Sequence, residues 1–291
     1  MIGHAVHLRA TSVGIEAQRA LGAAVRGEVA AIFRNSFYVR FGDDWACFGS
    51  TAIGRSPLNV PCSGMLPDWR FAIDVGSPAS ARCGALDLPG YAIGLDNAPV
   101  WAPGAEPSSH CASRAVGLNA LSQLLPATLP AGSLAGLLRQ HSLPLTCVEK
   151  TAWPAVDALS TWAALPVEDN SPPPLSAVCG LLGLGPGLTP SGDDFLAGFA
   201  VALRAVGKSA RSTALAQVIG DHEHLTSALS AVHLRVAISV GLSEDMDKLL
   251  GALLVGRGAA IEAVIGRLYA DPHYSPWDAL AGIVTVLRSV H

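Results

Sequence analysis

From Glu28 onward apolar and polar residues alternate in short runs, VAAIFR, SFYVRF and WACFG, separated by the turn formers Asn35-Ser36 and Gly42-Asp43-Asp44. Alternation with period two places every second side chain on one face, so these runs predict the strands of a meander. LNVPC, WRFAIDV, ARCGALDL and YAIGL continue the pattern, punctuated by Pro57, Pro61, Pro67, Pro78, Pro89 and Pro99. Short strands at such spacing predict a small sheet or barrel over about 25–105, preceded by a short amphipathic helix within 12–26. Beyond Ser109 the chain turns to Ala and Leu. RAVGLNALSQLL, SLAGLLRQ and AVDALSTWAAL predict helices ended by Pro126, Pro144 and Pro166. LSAVCGLL predicts a helix feeding a glycine-rich block, and further helices are predicted at about 209–241, 243–255, 257–270 and 276–289. The expected fold class is therefore α+β: a β-rich N-terminal domain, a small sheet or barrel, over 1–108, then an α-helical domain over 109–291 that carries the glycine loop 183–194.

Composition narrows the partners. Half of the 291 residues are hydrophobic and 14% are charged, which allows a sizeable core. A net charge of −4 leaves no surplus of Lys and Arg for a nucleic-acid or anionic-membrane face, so small molecules or proteins are the expected partners. No stretch reaches the roughly 18 uncharged apolar residues of a membrane span. The start, MIGHAVHLRATSVGIEA, lacks an apolar run behind a basic cluster. A cytoplasmic location is expected, with the apolar content pointing to contacts with other subunits. Cys47, Cys62, Cys83, Cys111, Cys147 and Cys179 are scattered without a CxxC pair and read as reduced and mostly buried.

The densest chemistry lies in GLLGLGPGLTPSGDDFLAG, residues 180–198. Gly183, Gly185 and Gly187 free the backbone to turn several N–H groups towards one point, and the helix start that follows adds partial positive charge. Gly192 and the hydroxyls of Thr189 and Ser191 complete a candidate anion site. Asp193 and Asp194 then need a cation such as Mg²⁺, or a ligand NH₂ group, between them and an anion, unless one of them faces away. The plainer reading makes Ser191 an N-cap and Asp194 the end of an S-x-x-[DE] capping box. Capping alone needs neither the alternating glycines nor Thr-Pro-Ser-Gly, so the whole block is read as a ligand site, with Ser191, Asp193 and Asp194 as its candidate catalytic residues. It lacks the lysine of a Walker A loop, and helical rather than strand-like sequence precedes it, which argues against a dinucleotide fold.

Two other segments bear on the site. In DHEHLTSALSAVHLRVA, the His-x-His cluster reads as a solvated helix start rather than a metal site, while Thr226 and Ser230 fall four apart on one helical face and form a candidate polar strip. In ADPHYSPWDALAGIV, Ser275 and Pro276 look like a helix start, with His273 and Asp278 placed to reach the glycine loop if that helix packs beside the one following Ser191. Arg204, Arg235 and Arg257 are further candidate anion clamps.

GLGPGLTPSGDDFLAG resembles the signature of the AllH family, a subunit of oxamate carbamoyltransferase in anaerobic allantoin breakdown. Fainter likenesses are the AAIFRNSFYVRF stretch, the Thr226-Ser227 and Ser230 helix, and Asp278-x-x-x-Gly282. The family's His-Thr-Ser-Gly-x-Asp pattern appears here as His273-Tyr-Ser275-Pro-Trp-Asp278, without its Gly. The resemblance implies transfer of a carbamoyl group between phosphate and the amide nitrogen of oxamate, beside FdrA-like and AllG-like subunits. Substrate-binding residues are then expected among Gly185, Gly187, Thr189, Ser191, Gly192, Thr226, Ser230, His273 and Asp278, with Asp193 and Asp194 as a Mg²⁺ pair. The alternatives are a non-catalytic anion- or nucleotide-binding subunit, or a Mg²⁺-dependent enzyme acting on a phosphorylated small molecule.

Overall fold

The computed structural model describes residues 5–23, 25–82, 84–104, 111–139, 146–270 and 275–290. It falls into two units, Met1–Pro103 and Gly104–His291. The boundary expected after residue 108 lies outside the described residues.

The first unit holds strands β1 (Val6–Ala10), β2 (Val13–Gly14), helix α1 (Ile15–Ala23), β3 (Arg26–Ile32), β4 (Ser36–Phe41), β5 (Asp44–Ser50), β6 (Asn59–Ser63), β7 (Pro78–Arg82), β8 (Ala85–Leu88), β9 (Tyr91–Gly94) and β10 (Val100–Trp101). Eight of them close a barrel in the order β1-β6-β5-β4-β3-β7-β8-β9, and β10 pairs with β2 in a separate ribbon. Closure removes the exposed edges that an open meander would leave. The β4–β5 hairpin turns on Gly42 at φ +64°, a conformation that favours glycine. Val29, Phe37, Val39, Phe48, Leu86 and Ile93 are buried in its core. WRFAIDV, expected as a strand, is instead a 3-10 turn at Trp69–Phe71, because the Asp68 side chain accepts the Arg70 N–H and turns the chain. That turn delivers Trp69 against Phe37 and Tyr91 at centroid distances of 4.5 and 5.1 Å. ARCGALDL is two strands rather than one, β7 and β8, and the helix expected within 12–26 is the shorter α1.

The second unit is helical. Among the described residues it contains α2 (Cys111–Leu124), α3 (Cys147–Ala164), α4 (Leu175–Leu181), α5 (Ser191–Ala205), α6 (Ser209–Asp221), α7 (Ala228–Ser239), α8 (Glu244–Val255), α9 (Gly258–Ala270) and α10 (Ser275–Ser289). The whole chain is α+β. SLAGLLRQ forms only a 3-10 turn at Ala135–Leu138. The single helix expected over 209–241 is broken into α6 and α7, because Ser227 caps a new start by accepting the Ser230 N–H at 3.0 Å.

The core of this unit is the pair α5 and α10, buried along most of both lengths. They cross in backbone contact: a Cβ at Gly198 would overlap the Ala279 carbonyl, and one at Gly282 would overlap the Phe195 carbonyl. Only hydrogen side chains permit so close an approach. Because Thr189, two residues before α5, touches Ser275 and Ser191 touches Asp278, the two helices start at the same place.

Candidate functional site

The glycine loop is the connection from α4 to α5. Gly183, at φ +73°, ends α4 in the left-handed conformation, and the Leu184 carbonyl accepts the Gly192 N–H at 2.8 Å. That bond pinches residues 185–191 into a closed loop with Gly185 and Gly187 at φ +118° and +93°. The N-cap of α5 is Pro190, not Ser191, and no side-chain cap exists. The capping-box expectation fails because Ser191 already lies inside the helix, with its hydroxyl turned to Asp278. The Pro190 carbonyl accepts from Asp193 and Asp194 N–H, but among the described residues the N–H groups of Gly185, Gly187, Leu188, Thr189 and Ser191 have no hydrogen-bond partner. A Cβ on Gly185 would stand 2.8 Å from Ser191 N, so glycine there leaves that N–H open.

The paired acids sit in different environments. Asp193 is 1% exposed; its Oδ1 accepts the Gly183 N–H at 2.9 Å, and its Oδ2 accepts the hydroxyls of Thr226 and, at 2.7 Å, Ser230. Three donors fill most of the acceptor positions of one carboxylate. The Ser227 hydroxyl donates to the Leu188 carbonyl at 2.6 Å. The start of α7 thus clasps the glycine loop at both ends. Thr226 precedes α7 rather than sharing a helical face with Ser230, and both hydroxyls are directed at Asp193. Gly192 holds the loop closed through its N–H and packs its bare Cα on the Leu181 carbonyl.

Asp194 keeps part of its surface accessible, but its Oδ2 is fully buried and has no partner among the described residues. Burial, together with the charges of Asp278 and Asp193, holds its carboxyl well above the ordinary range, against a smaller opposing pull from the Ser275 hydroxyl. Asp278, 1% exposed, accepts the Leu134 N–H on Oδ1 at 2.6 Å, from a residue 144 positions earlier. Burial pushes it up to about 7, while the Leu134 N–H and Ser191 hydroxyl pull it back and Glu149 raises it. Glu149 is itself buried, reciprocally capping α3 with Thr146. Leu134 and Glu149 are site residues that no local pattern announced. His273 lies outside the described residues.

Three helix N-termini, those of α5, α7 and α10, therefore meet at one glycine loop. Each contributes the partial positive charge of its unfilled N–H groups. The other candidates go elsewhere: the Arg204 guanidinium donates to the Ile238 carbonyl at 2.6 Å, and Arg235 pairs with Glu223 at 2.6 Å. His222 and His224 face each other, and among the described residues no three His, Cys, Asp or Glu side chains gather to hold a metal. Cys47, Cys62, Cys147 and Cys179 are free thiols, Cys47 and Cys62 buried in the barrel. No described helix is long and apolar enough to cross a membrane.

The chain is thus an α+β protein whose helical unit gathers its polar residues where three helices begin. Within that class, a family model described as oxamate carbamoyltransferase subunit AllH matches residues 181–287, and this match supports membership of the AllH family. It spans the glycine loop, both aspartates, Thr226, Ser230 and Asp278, and leaves out the barrel, Leu134 and Glu149. The family name is that of a subunit, which fits a protein that works with partner subunits. No curated protein and no solved structure matches the chain.

Proposed function

We propose that this chain is a carbamoyltransferase subunit that binds a small anion of the carbamoyl phosphate or oxamate type at loop 183–194, in purine nitrogen catabolism. The observation that supports this best is the set of five backbone N–H groups of the loop and α5 start that have no hydrogen-bond partner among the described residues. Phosphate or carboxylate oxygens are the acceptors such donors lack. Three converging N-termini favour negative charge, and the Thr189 and Ser275 hydroxyls, 3.1 Å apart, add movable donors. A carbamoyl carbonyl that becomes an oxyanion during transfer would be stabilised by the same N–H groups. Carbamoyl transfer between two bound reactants needs positioning and charge stabilisation above all, so no Ser-His-Asp set is required. FdrA-like and AllG-like subunits are the expected partners.

Thermal shift of the purified chain with phosphate, carbamoyl phosphate and oxamate, singly and paired, tests the reading. A ligand at ten times its Kd adds about 1.4 kcal/mol to native-state stability, which raises Tm by roughly 3–5 °C for a domain of this size. Absence of a shift with all three, at millimolar concentration, would refute it.

A further inference from the structure

We propose that the barrel carries a self-association surface: the cap formed by residues 64–77 seats a second copy of this chain on Met65, Phe71 and Val75 across a two-fold axis.

The topology gathers these residues at one end of the barrel. β3, β5 and β6 finish there, at Ile32, Ser50 and Ser63, and β1, β4 and β9 begin there, at Val6, Ser36 and Tyr91. Residues 64–77 leave β6 and cross this end before entering β7. They are anchored from beneath. Trp69 is fully buried against Phe37 and Tyr91, its N–H donates to the Arg34 carbonyl at 3.1 Å, and the Gly76 N–H donates to the Val29 carbonyl at 2.8 Å. With Trp69 and Ile73 turned inwards, Met65 is left 90% exposed, Phe71 87% and Val75 66%. Val6 and Phe33, from strands that meet the same end, are exposed as well. The Arg70 guanidinium lies 5.5 Å from the Phe71 ring centre and pairs with Asp68 at 2.6 Å, so the flank of the patch is ordered too. A pinned segment that holds its largest apolar side chains outwards is a preorganised surface.

Three observations select a second copy as its occupant. In proportion to their exposure, the five side chains present roughly 500 Å² of apolar surface, near the upper end for a lone protein. Two such faces together bury about 1,000 Å² before any polar rim is added, which is where specific interfaces begin. The charged residues of the cap and of the β3–β4 turn are Arg34 and Arg70 against Asp68 and Asp74, so the face has no net sign and gives no hold to a strongly charged partner. A two-fold rotation, by contrast, lets basic residues of one copy meet acidic residues of the other. The AllH match lies within the helical unit, so the cap is outside the segment that the family model defines. Barrel closure leaves no strand edge at which copies could pair through their backbones, and association falls to the side chains of the cap.

Sedimentation velocity of the purified chain from about 1 to about 100 µM tests the proposal. A reversible dimer is expected, half-formed at micromolar concentration because the face is at the small end of specific interfaces. Met65→Asp combined with Phe71→Asp should raise the dimer Kd at least about 100-fold, since each copy would bury unpaired charge. Tyr269→Asp, on the exposed face of α9, should leave it unchanged. Both cap residues are exposed, so the double variant should melt where dilute wild type melts, which separates lost association from lost folding. Oxidation of Met65 by dilute peroxide, followed by mass spectrometry, should slow as the wild type is concentrated. A wild type that stays monomeric at the highest concentration would overturn the proposal, whether or not another subunit then covers Met65. So would a dimer that survives in the double variant, or one in which Met65 oxidises as fast as in dilute protein.

Discussion

Replacing Asp278 by Asn should stabilise the protein at neutral pH and leave it unchanged in acid. Asp278 is buried in the α5–α10 contact, with its proton held to about pH 7 against an ordinary value of 3.8. Between those values the folded chain binds a proton that the unfolded chain has released, so stability falls as pH rises through this window. Below it both states are protonated, and above it the loss is complete. The difference, 7 − 3.8, is about 3 units, or about 4 kcal/mol at roughly 1.4 kcal/mol per unit, and local relaxation reduces it to about 2–4 kcal/mol. Asn keeps a carbonyl oxygen for the Leu134 N–H and presents its NH₂ group to the Ser191 hydroxyl, which can accept. Urea unfolding of both proteins from pH 4 to pH 8 measures the effect. The two curves should meet near pH 4 and separate progressively to pH 8, with the variant the more stable. Parallel curves would mean that Asp278 is ionised throughout, and the account of burial given above would be wrong.

Other perturbations test the frame around the site. Gly282→Ala should destabilise by about 1–3 kcal/mol, since its methyl would overlap the Phe195 carbonyl; Gly266→Ala in α9, where nothing stands within 4 Å, should stabilise by up to about 1 kcal/mol through helix propensity. Thermal melts of the two variants should move in opposite directions. Ser230→Ala removes a hydroxyl donor from a buried carboxylate and should lower stability by about 1.5–3 kcal/mol in urea unfolding. The barrel thiols Cys47 and Cys62 are both pushed up to about 12, mainly by burial. A thiol reagent at pH 8 should therefore label exposed Cys147 first and reach Cys47 and Cys62 only on unfolding.

Much of this arrangement is visible in the residues themselves. Alternation and turn chemistry mark β3, β4, β5, β6 and β9, and the glycine block stands out because no ordinary helix start needs it. What escapes is set by distant partners. In β1 only Leu8 and Ala10 face the core, so there is too little alternation to read, yet β1 closes the barrel between β6 and β9. WRFAIDV has the composition of a strand, but one Asp68 side chain bends it into a turn. Ser227 and the polar run Asp221–His224 before it do signal a helix start, and the break between α6 and α7 falls there, within a span read as one helix. Within the site, the hydroxyls at 226 and 230 look like a ligand strip until Asp193 is seen to accept both. Leu134 and Glu149 belong to the site only because α10 brings Asp278 to them.

The bare backbone crossing of Gly198 and Gly282 has a consequence for the order of events in synthesis. The loop's hydroxyl partner Ser275 follows Thr189 by 86 positions, and α10 supplies it along with Asp278. While a ribosome is still making α8 and α9, α5 has an uncovered glycine groove and the glycine loop lacks one of its three converging helices. The barrel unit, with its own closed core, can fold by then. The ligand site is therefore among the last features a nascent chain acquires, and a chain interrupted before α10 would carry a finished barrel beside an α5 whose apolar face is open to the chaperones that patrol such surfaces.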